Sequence, residues 1–367
     1  MFVLAGILMA HGKISEKLFD VFVYFLGNKR AGIPCAVIIT CLFYGAISGS
    51  APATVAAVGS MTIPLLIELG YEKDFSTAIV AVAGGLGVII PPSIPFIMYA
   101  MATGESVSDL FLAGIVPGMM ISALLIFYAY YYCRRHGEDR EKIQAKIGQL
   151  KAKGFFNILK ESIWALLSPV IVLGCIYTGV ASPTEAAVIS VFYSLFVSLF
   201  IYRSIKVKQI WGIMVEAMKT YAPILFILAT STAFSRVLTL MQVPQDVSAW
   251  IMTHFSNEIV LLLVINVVLL IDGMVMDTTP AILILSPILL PIVEHVGMNP
   301  IHFGVMVIVN LAVGFVTPPV GVNLFVASSL TNVPMMQIAK KAMPMIGYFM
   351  LALLLITFIP AISLCLL

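Results

Sequence analysis

The sequence predicts an all-α, polytopic membrane protein built as an inverted repeat, with two re-entrant hairpins and two broken helices. Three observations carry that prediction. Hydrophobic residues make up 61% of the 367 positions and charged residues only 10%, against about a quarter charged in an ordinary soluble domain. Apolar runs such as 110–132, 163–180 and 342–367 recur along the chain. Each is near or above the roughly 20 residues that cross a bilayer as a helix, and the alternation of a β-barrel is absent. Finally, the chain matches itself at a constant offset of 227 residues.

Charge placement orders the elements. Of the 20 Lys and Arg residues, none lies between Val237 and Ala339; they cluster at 13–30, 134–160, 203–219 and Lys340–Lys341. Basic loops face the cytoplasm. Residues 13–30 therefore start on that side with an interfacial arm helix, whose Ile14, Leu18, Val21, Phe22 and Phe25 share one face. Two short apolar runs, 31–45 and onward to Gly70, flank "SGSAPAT" (Ser48–Thr54) and form a hairpin that enters from the cytoplasm and returns to it. Residues 76–103 cross outward, interrupted at "GVIIPPS" (Gly87–Ser93), and 110–132 return. Residues 163–180 and 185–202 make the next pair of crossings. A second interfacial helix carries Val207, Ile210, Trp211, Met214 and Met218 on one face, and 221–240 crosses outward after it. The second hairpin, 259–276 with 281–296, enters from outside; 303–330 crosses inward, and the last helix goes out. This path puts 19 of 20 Lys and Arg in the cytoplasm, the exception being Arg236 within a membrane segment. The corresponding division is 1–30 (end of a scaffold helix and arm), 31–133 (first transport repeat), 134–160 (basic cytoplasmic connector), 161–243 (scaffold and second arm) and 244–367 (second transport repeat).

In the self-match, Pro64 falls on Pro291, Gly70 on Gly297, Gly87 on Gly314, Pro91-Pro92 on Pro318-Pro319, Ala100 on Ala327 and Pro117 on Pro344, without a gap. Five crossings separate the two hairpins, an odd number, so the copies are inverted. Inverted repeats with Gly/Pro-interrupted helices are the signature of secondary transporters, with the site near the midplane where the broken elements meet. Helices over 161–228 have no counterpart before Met1, so an N-terminal portion of the first repeat is expected to be missing from this chain.

The breaks suggest what such a site holds. Pro91 and Pro92 lack an N–H, so carbonyls near Gly87, Val88 and Ile89 lose their helical donors. Free carbonyls at a helix C-terminus suit a small hard cation, here Na⁺. The helix restarting at Ser93 turns its positive end into the same gap, which suits a carboxylate. The tips add Ser48, Ser50 and Thr54 in one copy and Asp272, Asp277, Thr278 and Thr279 in the other. Asp277 reads as an ion ligand or as the N-cap of the helix from Thr278. For "SGSAPAT" close helix packing is the lesser alternative. Asn310 favours an interhelical hydrogen bond over a ligand role, whereas Asn323 leaves both open. Arg236 is a candidate contact for a substrate carboxylate, with an interfacial Arg the stronger reading. "SPTE" (Ser182–Glu185) is a capping box. The five cysteines fall in apolar segments without a CxxC pair, the five histidines are scattered, and no P-loop is present. No cleavable signal peptide is evident at Met1–Ala10.

Together, "GAISGSAPATVAAVGSMTIP" (Gly45–Pro64), "GLGVIIPPSIP" (Gly85–Pro95), "FLAGIVPG" (Phe111–Gly118), "SPTEAAV" (Ser182–Val188) and "GFVTPPVGVNLFVASS" (Gly314–Ser329) resemble the large membrane (M) subunit of TRAP, the tripartite ATP-independent periplasmic transporters. The resemblance runs over nearly the whole chain. It implies a non-enzymatic permease subunit of the bacterial inner membrane that imports carboxylate solutes, such as C4-dicarboxylates or sialic acids, with Na⁺. It further implies a periplasmic substrate-binding protein, a small Q subunit, and an elevator motion of the hairpins and broken helices against a scaffold. By position, Na⁺ would be held by Ser48, Gly49, Ser50, Gly87, Val88, Ile90 and Pro92 in one repeat, and by Asp272, Asp277, Thr278, Thr279, Gly314, Thr317 and Pro319 in the other. Thr54, Ser93, Asn323 and Arg236 are the substrate-site candidates. No organic cofactor and no nucleic-acid partner are expected. A related carboxylate elevator that works without a binding protein is the alternative.

Overall fold

The computed structural model describes residues 1–12, 14–152, 154–243, 245–247 and 257–367. Lys13, Lys153, His254 and position 244, where the second transport repeat was expected to begin, lie outside the described residues. Among the described residues the chain is helical throughout, and eight helices are long and apolar enough to cross a membrane.

Helix α1 (Phe2–His11) and the arm α2 (Ile14–Leu26) lead into hairpin 1, formed by α3 (Gly32–Ser48) and α4 (Ala51–Glu68). The first broken helix is α5 (Lys73–Ala83), a 3₁₀ turn over Gly84–Val88, and α6 (Ile94–Thr103). It is followed by α7 (Val107–His136), α8 (Arg140–Ala152), α9 (Phe155–Tyr177), α10 (Pro183–Phe196) and α11 (Val207–Leu240). Hairpin 2 is α12 (Glu258–Val275) and α13 (Thr278–His295). The second broken helix is α14 (Pro300–Gly314) and α15 (Val322–Thr331); α16 (Met335–Phe358) and the short α17 (Ala361–Leu364) close the chain.

The offset of 227 holds in three dimensions. It carries α4 onto α13 end for end, brings α3 and α6 within one residue of α12 and α15, and gives α5 and α14 matching first residues. Packing repeats as well, but with partners exchanged. Helix α4 packs on α15 while α13 packs on α6, and α5 packs on α16 while α14 packs on α7. Such exchange is what a two-fold axis inside the chain produces. Both Pro-Pro bonds, Pro91-Pro92 and Pro318-Pro319, are cis.

Local signals account for the element ends. Ser182 Oγ accepts from Glu185 N at 3.4 Å while Ser182 N donates to Glu185 Oε2 at 2.8 Å, the expected capping box starting α10. On α2, Ile14, Leu18 and Val21 of the expected face are buried in the protein and Phe22 is half-buried, while Phe25 is exposed and Phe19 is buried. The second arm and the crossing after it form one helix rather than two. Left-handed residues stand only at its flanks, at Arg203 and Gln242, so nothing between them ends it, and Pro223 sits inside α11. Helix α8 was not anticipated within the basic connector, although Ile143, Ile147 and Leu150 form its buried stripe at helical spacing. Cys35, Cys41 and Cys133 are buried, but Cys365 is exposed.

The basic and acidic loops meet at one end of the molecule. Lys341 Nζ lies 2.5 Å from Glu72 Oε2, which also accepts from Tyr132 Oη at 2.8 Å. Glu138 takes the Ala31 N–H on both carboxylate oxygens and Tyr71 Oη at 2.6 Å. Lys17 pairs with Glu161, tying α2 to α9. The Lys341–Glu72 contact therefore bridges the two repeats.

Candidate functional site

Each hairpin tip is pressed against the break of its own repeat, and glycines permit the approach. A Cβ on Gly45 would lie 2.6 Å from Gly87 Cα, and one on Gly87 would lie 2.8 Å from Ser50 O. Gly49 ends α3 at φ 63°, a left-handed conformation suited to glycine, and Ile94 N donates to its carbonyl at 3.3 Å. In repeat 2 a Cβ on Gly314 would stand 2.3 Å from Gly273 C, and Val320 N donates to Met274 O at 3.1 Å.

The hydroxyls of Ser48, Thr54 and Ser93 in repeat 1 are used locally. Ser48 Oγ meets Thr54 Oγ1 at 2.9 Å, Thr54 Oγ1 donates to Ser50 O at 2.8 Å, and Ser93 Oγ donates to Val88 O at 2.5 Å. Thr54 and Ser93 are wholly buried and stand behind the surface rather than on it. Repeat 2 differs. Asp277 occupies the N-cap position of α13 without a side-chain cap hydrogen bond and is exposed. Buried Asp272 Oδ2, Asn310 Oδ1 and Asn323 Oδ1 have no partner. Asn323 Nδ2 reaches across to Ala81 O at 3.0 Å, and Asn310 Nδ2 makes the anticipated interhelical bonds to Asn266.

One cavity of about 650 Å³ brings the two repeats together. Ser48, Gly49, Ser50 and Val88 line it from one side, and Asp277, Thr278, Thr279 and Phe315 from the other. Pro52 and Ala53 of α4, Ile94 and Pro95 of α6 and Thr278 of α13 also line it, so three helix N-termini open on the same space. Helix N-termini carry partial positive charge and free N–H groups. Among the described residues the acidic and histidine lining consists of Asp277, Glu16, Glu216 and His11, and no Lys or Arg lines the cavity.

The remaining candidates lie elsewhere. Gly87, Ile90 and Pro92 are buried and do not line the cavity. Gly314 is buried against Gly273, Thr317 Oγ1 donates to Val313 O at 2.8 Å, and Pro319 is exposed outside the cavity. Arg236 is exposed on α11 and does not line it. Sequence reasoning missed the opposite wall, made by α1 and α11. His11 Nε2 and Glu216 Oε2 are 2.9 Å apart there, and Glu216, Thr220 and Ile224 follow one another down one stripe of α11. The available signal was Glu216, the lone acidic residue of that helix.

Residues 1–362 match the family described as the tripartite ATP-independent periplasmic transporter, DctM component. An isethionate TRAP transporter permease protein DctMQ of Oleidesulfovibrio alaskensis is 44% identical over 361 residues, 98% of this chain and 56% of that protein. A C4-dicarboxylate TRAP transporter large permease protein DctM of Pseudomonas aeruginosa is 39% identical over 365 residues, 100% of this chain and 84% of that one. The chain thus spans little more than half of the first relative. Among solved structures, the YdaH transporter of Alcanivorax borkumensis, described as having an unusual topology, superposes with a TM-score of 0.63 over 97% of this chain and 84% of its own, at 15% identity; that likeness concerns the fold. These relatives are named as transporters and permeases rather than enzymes. With the family match over nearly every residue, the chain belongs to the DctM component family of the tripartite ATP-independent periplasmic transporters, as a multi-pass membrane protein.

Proposed function

We propose that this chain is the permease subunit of a Na⁺-coupled importer of organic anions in the bacterial inner membrane. The solute is a carboxylate, of the C4-dicarboxylate or acid-sugar class, or a similar small acid. It is handed over by a periplasmic binding protein, and a small Q subunit completes the membrane part.

The observation that carries this proposal is the cavity between the two tips. It has acidic side chains and hydroxyls but, among the described residues, no Lys or Arg. A carboxylate entering it meets three helix N-termini, which favour an anion, and Asp277, which disfavours one. A cation bound at the tips neutralises Asp277 and lets the anion stay, so solute and Na⁺ binding reinforce one another. Lining positions Ser48, Gly49, Ser50, Val88, Asp277, Thr278 and Thr279 are the foremost Na⁺ candidates. Gly87, Ile90, Pro92, Asp272, Gly314, Thr317 and Pro319 support them from the breaks. The solute sits over the N-termini near Ser93 and Thr54, and Asn323 and Arg236 are weaker candidates from their positions. In the elevator mechanism, 31–133 and 244–367 move as one body against α1, α2 and α9–α11. The Lys341–Glu72 bridge between repeats supports that division.

The test is uptake of labelled solute by vesicles holding this chain with its membrane partner. The expected result is accumulation that requires both an inward Na⁺ gradient and the loaded binding protein. Uptake from free solute alone would favour the transporter class that works without a binding protein, and uptake indifferent to Na⁺ would overturn the coupling.

A further inference from the structure

Repeat 2 contains a buried polar cluster that repeat 1 lacks. Asn266 on α12, His302 and Asn310 on α14 and Thr357 on α16 are at most 5% exposed. Asn310 Nδ2 donates to both Asn266 O and Asn266 Oδ1 at 2.9 Å. Asn266 Nδ2 in turn donates to Leu262 O at 2.8 Å and Thr357 Oγ1 at 3.3 Å, and it lies 3.8 Å from Met306 Sδ. His302 Nε2 faces Thr357 O at 3.4 Å, which leaves Nδ1 as an acceptor without a partner. At an offset of 227, Asn266, His302 and Asn310 correspond to Ile39, Phe75 and Ala83. Thr357 corresponds to Tyr130, which is exposed.

Helix pairing does not need this cluster. Helix α3 packs along α5 and its 3₁₀ turn much as α12 packs along α14, with apolar side chains at the equivalent places. Polar side chains at membrane depth are costly and mark function by default. Their location says which function they serve. Asp272 follows Asn266 by six residues on the same helix, roughly 9 Å along its axis. Gly273 then touches Leu311 and Gly314, one turn beyond Asn310.

We infer that Asn266 and Asn310 are positioning residues for the second hairpin. Their two-pronged hydrogen bond fixes the height and rotation of α12 on α14, and so sets where Asp272 and the 274–277 tip stand against the second break. Repeat 1 achieves closure differently, through hydroxyls at its own tip. The inference rests on the proposal that the coupling ion is held at the tips.

The test compares the assembled wild-type transporter with Asn310→Ala and with Asn266→Ile/Asn310→Ala, which copies the Ile39/Ala83 pair of repeat 1. The single variant takes away the two bonds that Asn310 gives Asn266, whereas the double removes both partners together, a change close to neutral for folding. Asn310→Leu, similar in size and without the donor, serves if the others fail to reach the membrane. The expected result is a roughly fivefold rise in the Na⁺ concentration for half-maximal uptake with the maximal rate preserved. Amide hydrogen exchange across 271–279 should quicken roughly tenfold while exchange across 45–53 stays at the wild-type rate. A folded variant with wild-type exchange at 271–279 and wild-type Na⁺ dependence would overturn the inference. Exchange needs no Na⁺. Wild-type uptake indifferent to Na⁺ would thus end the coupling proposal separately, and the exchange result alone would decide the positioning role.

Discussion

The two repeats share a frame and differ in how they close it. Residues 81–93 of repeat 1 are all buried, and the hydroxyls of Ser48, Thr54 and Ser93 bond one another or nearby carbonyls. In repeat 2, Thr317 and Pro318 are partly exposed, Pro319 and Val320 are exposed, and the tip from Val275 to Asp277 is exposed. Glycine content follows the same division. Repeat 1 has Gly84, Gly85 and Gly87 in its 3₁₀ turn, where repeat 2 keeps α-helix through Leu311, Ala312 and Gly314. A duplicated scaffold has thus become one sealed half and one half with open acceptor oxygens.

Substitutions at the tip–break contacts should have the largest effect. Gly45→Val and Gly314→Val each drive a side chain into backbone, at 2.6 and 2.3 Å, and are expected to cost about 3 kcal/mol or more. Melting in detergent and loss of uptake would report it. Gly347→Ala, on α16 with nothing within 4 Å of its Cβ position, should instead be neutral or stabilise by up to about 1 kcal/mol. Equal behaviour of all three would erase the distinction between contact glycines and bystanders.

The smallest effect is expected at the Lys341–Glu72 bridge between the repeats. The hydrogen bond from Lys341 holds the Glu72 carboxyl below the usual range, with burial pulling the other way and Tyr132 assisting. A carboxyl lowered on folding stabilises above its unfolded value and loses that contribution as pH falls through the lowered one. The Glu72 side chain is 49% exposed, so Glu72→Gln should cost under about 1 kcal/mol at neutral pH. Its melting curve should merge with that of the wild type as the pH drops below the usual glutamate range. A gap that widened in acid would contradict this assignment.

The architecture was readable because its signals are strong and local. Pro91-Pro92, Pro318-Pro319 and the glycines at constant offset mark breaks that no packing detail can hide, and basic clusters mark one side of the membrane. Both tips were readable for the same reason, as was the choice of an interhelical bond for Asn310. What escaped depends on contacts between distant segments. His11 and Glu216 meet only when α1 and α11 fold against the tips. The burial of Thr54 and Ser93 behind the wall depends on which face of each turn looks inward. Arg236 and Asn323 were chosen by residue type, and type does not report direction. Helix α8 had a readable stripe at Ile143, Ile147 and Leu150, masked by the charges around it.

The proposed coupling links a cation to an anionic solute through Asp277 in the cavity between the tips. It is tested most directly by titrating Na⁺ against solute uptake for the wild type and Asp277→Asn in the same vesicles with the same loaded binding protein. The account predicts that half-maximal uptake in the variant needs roughly tenfold more Na⁺, about 1.4 kcal/mol of coupling, and that high Na⁺ restores much of the rate. Two titration curves that overlay would contradict it.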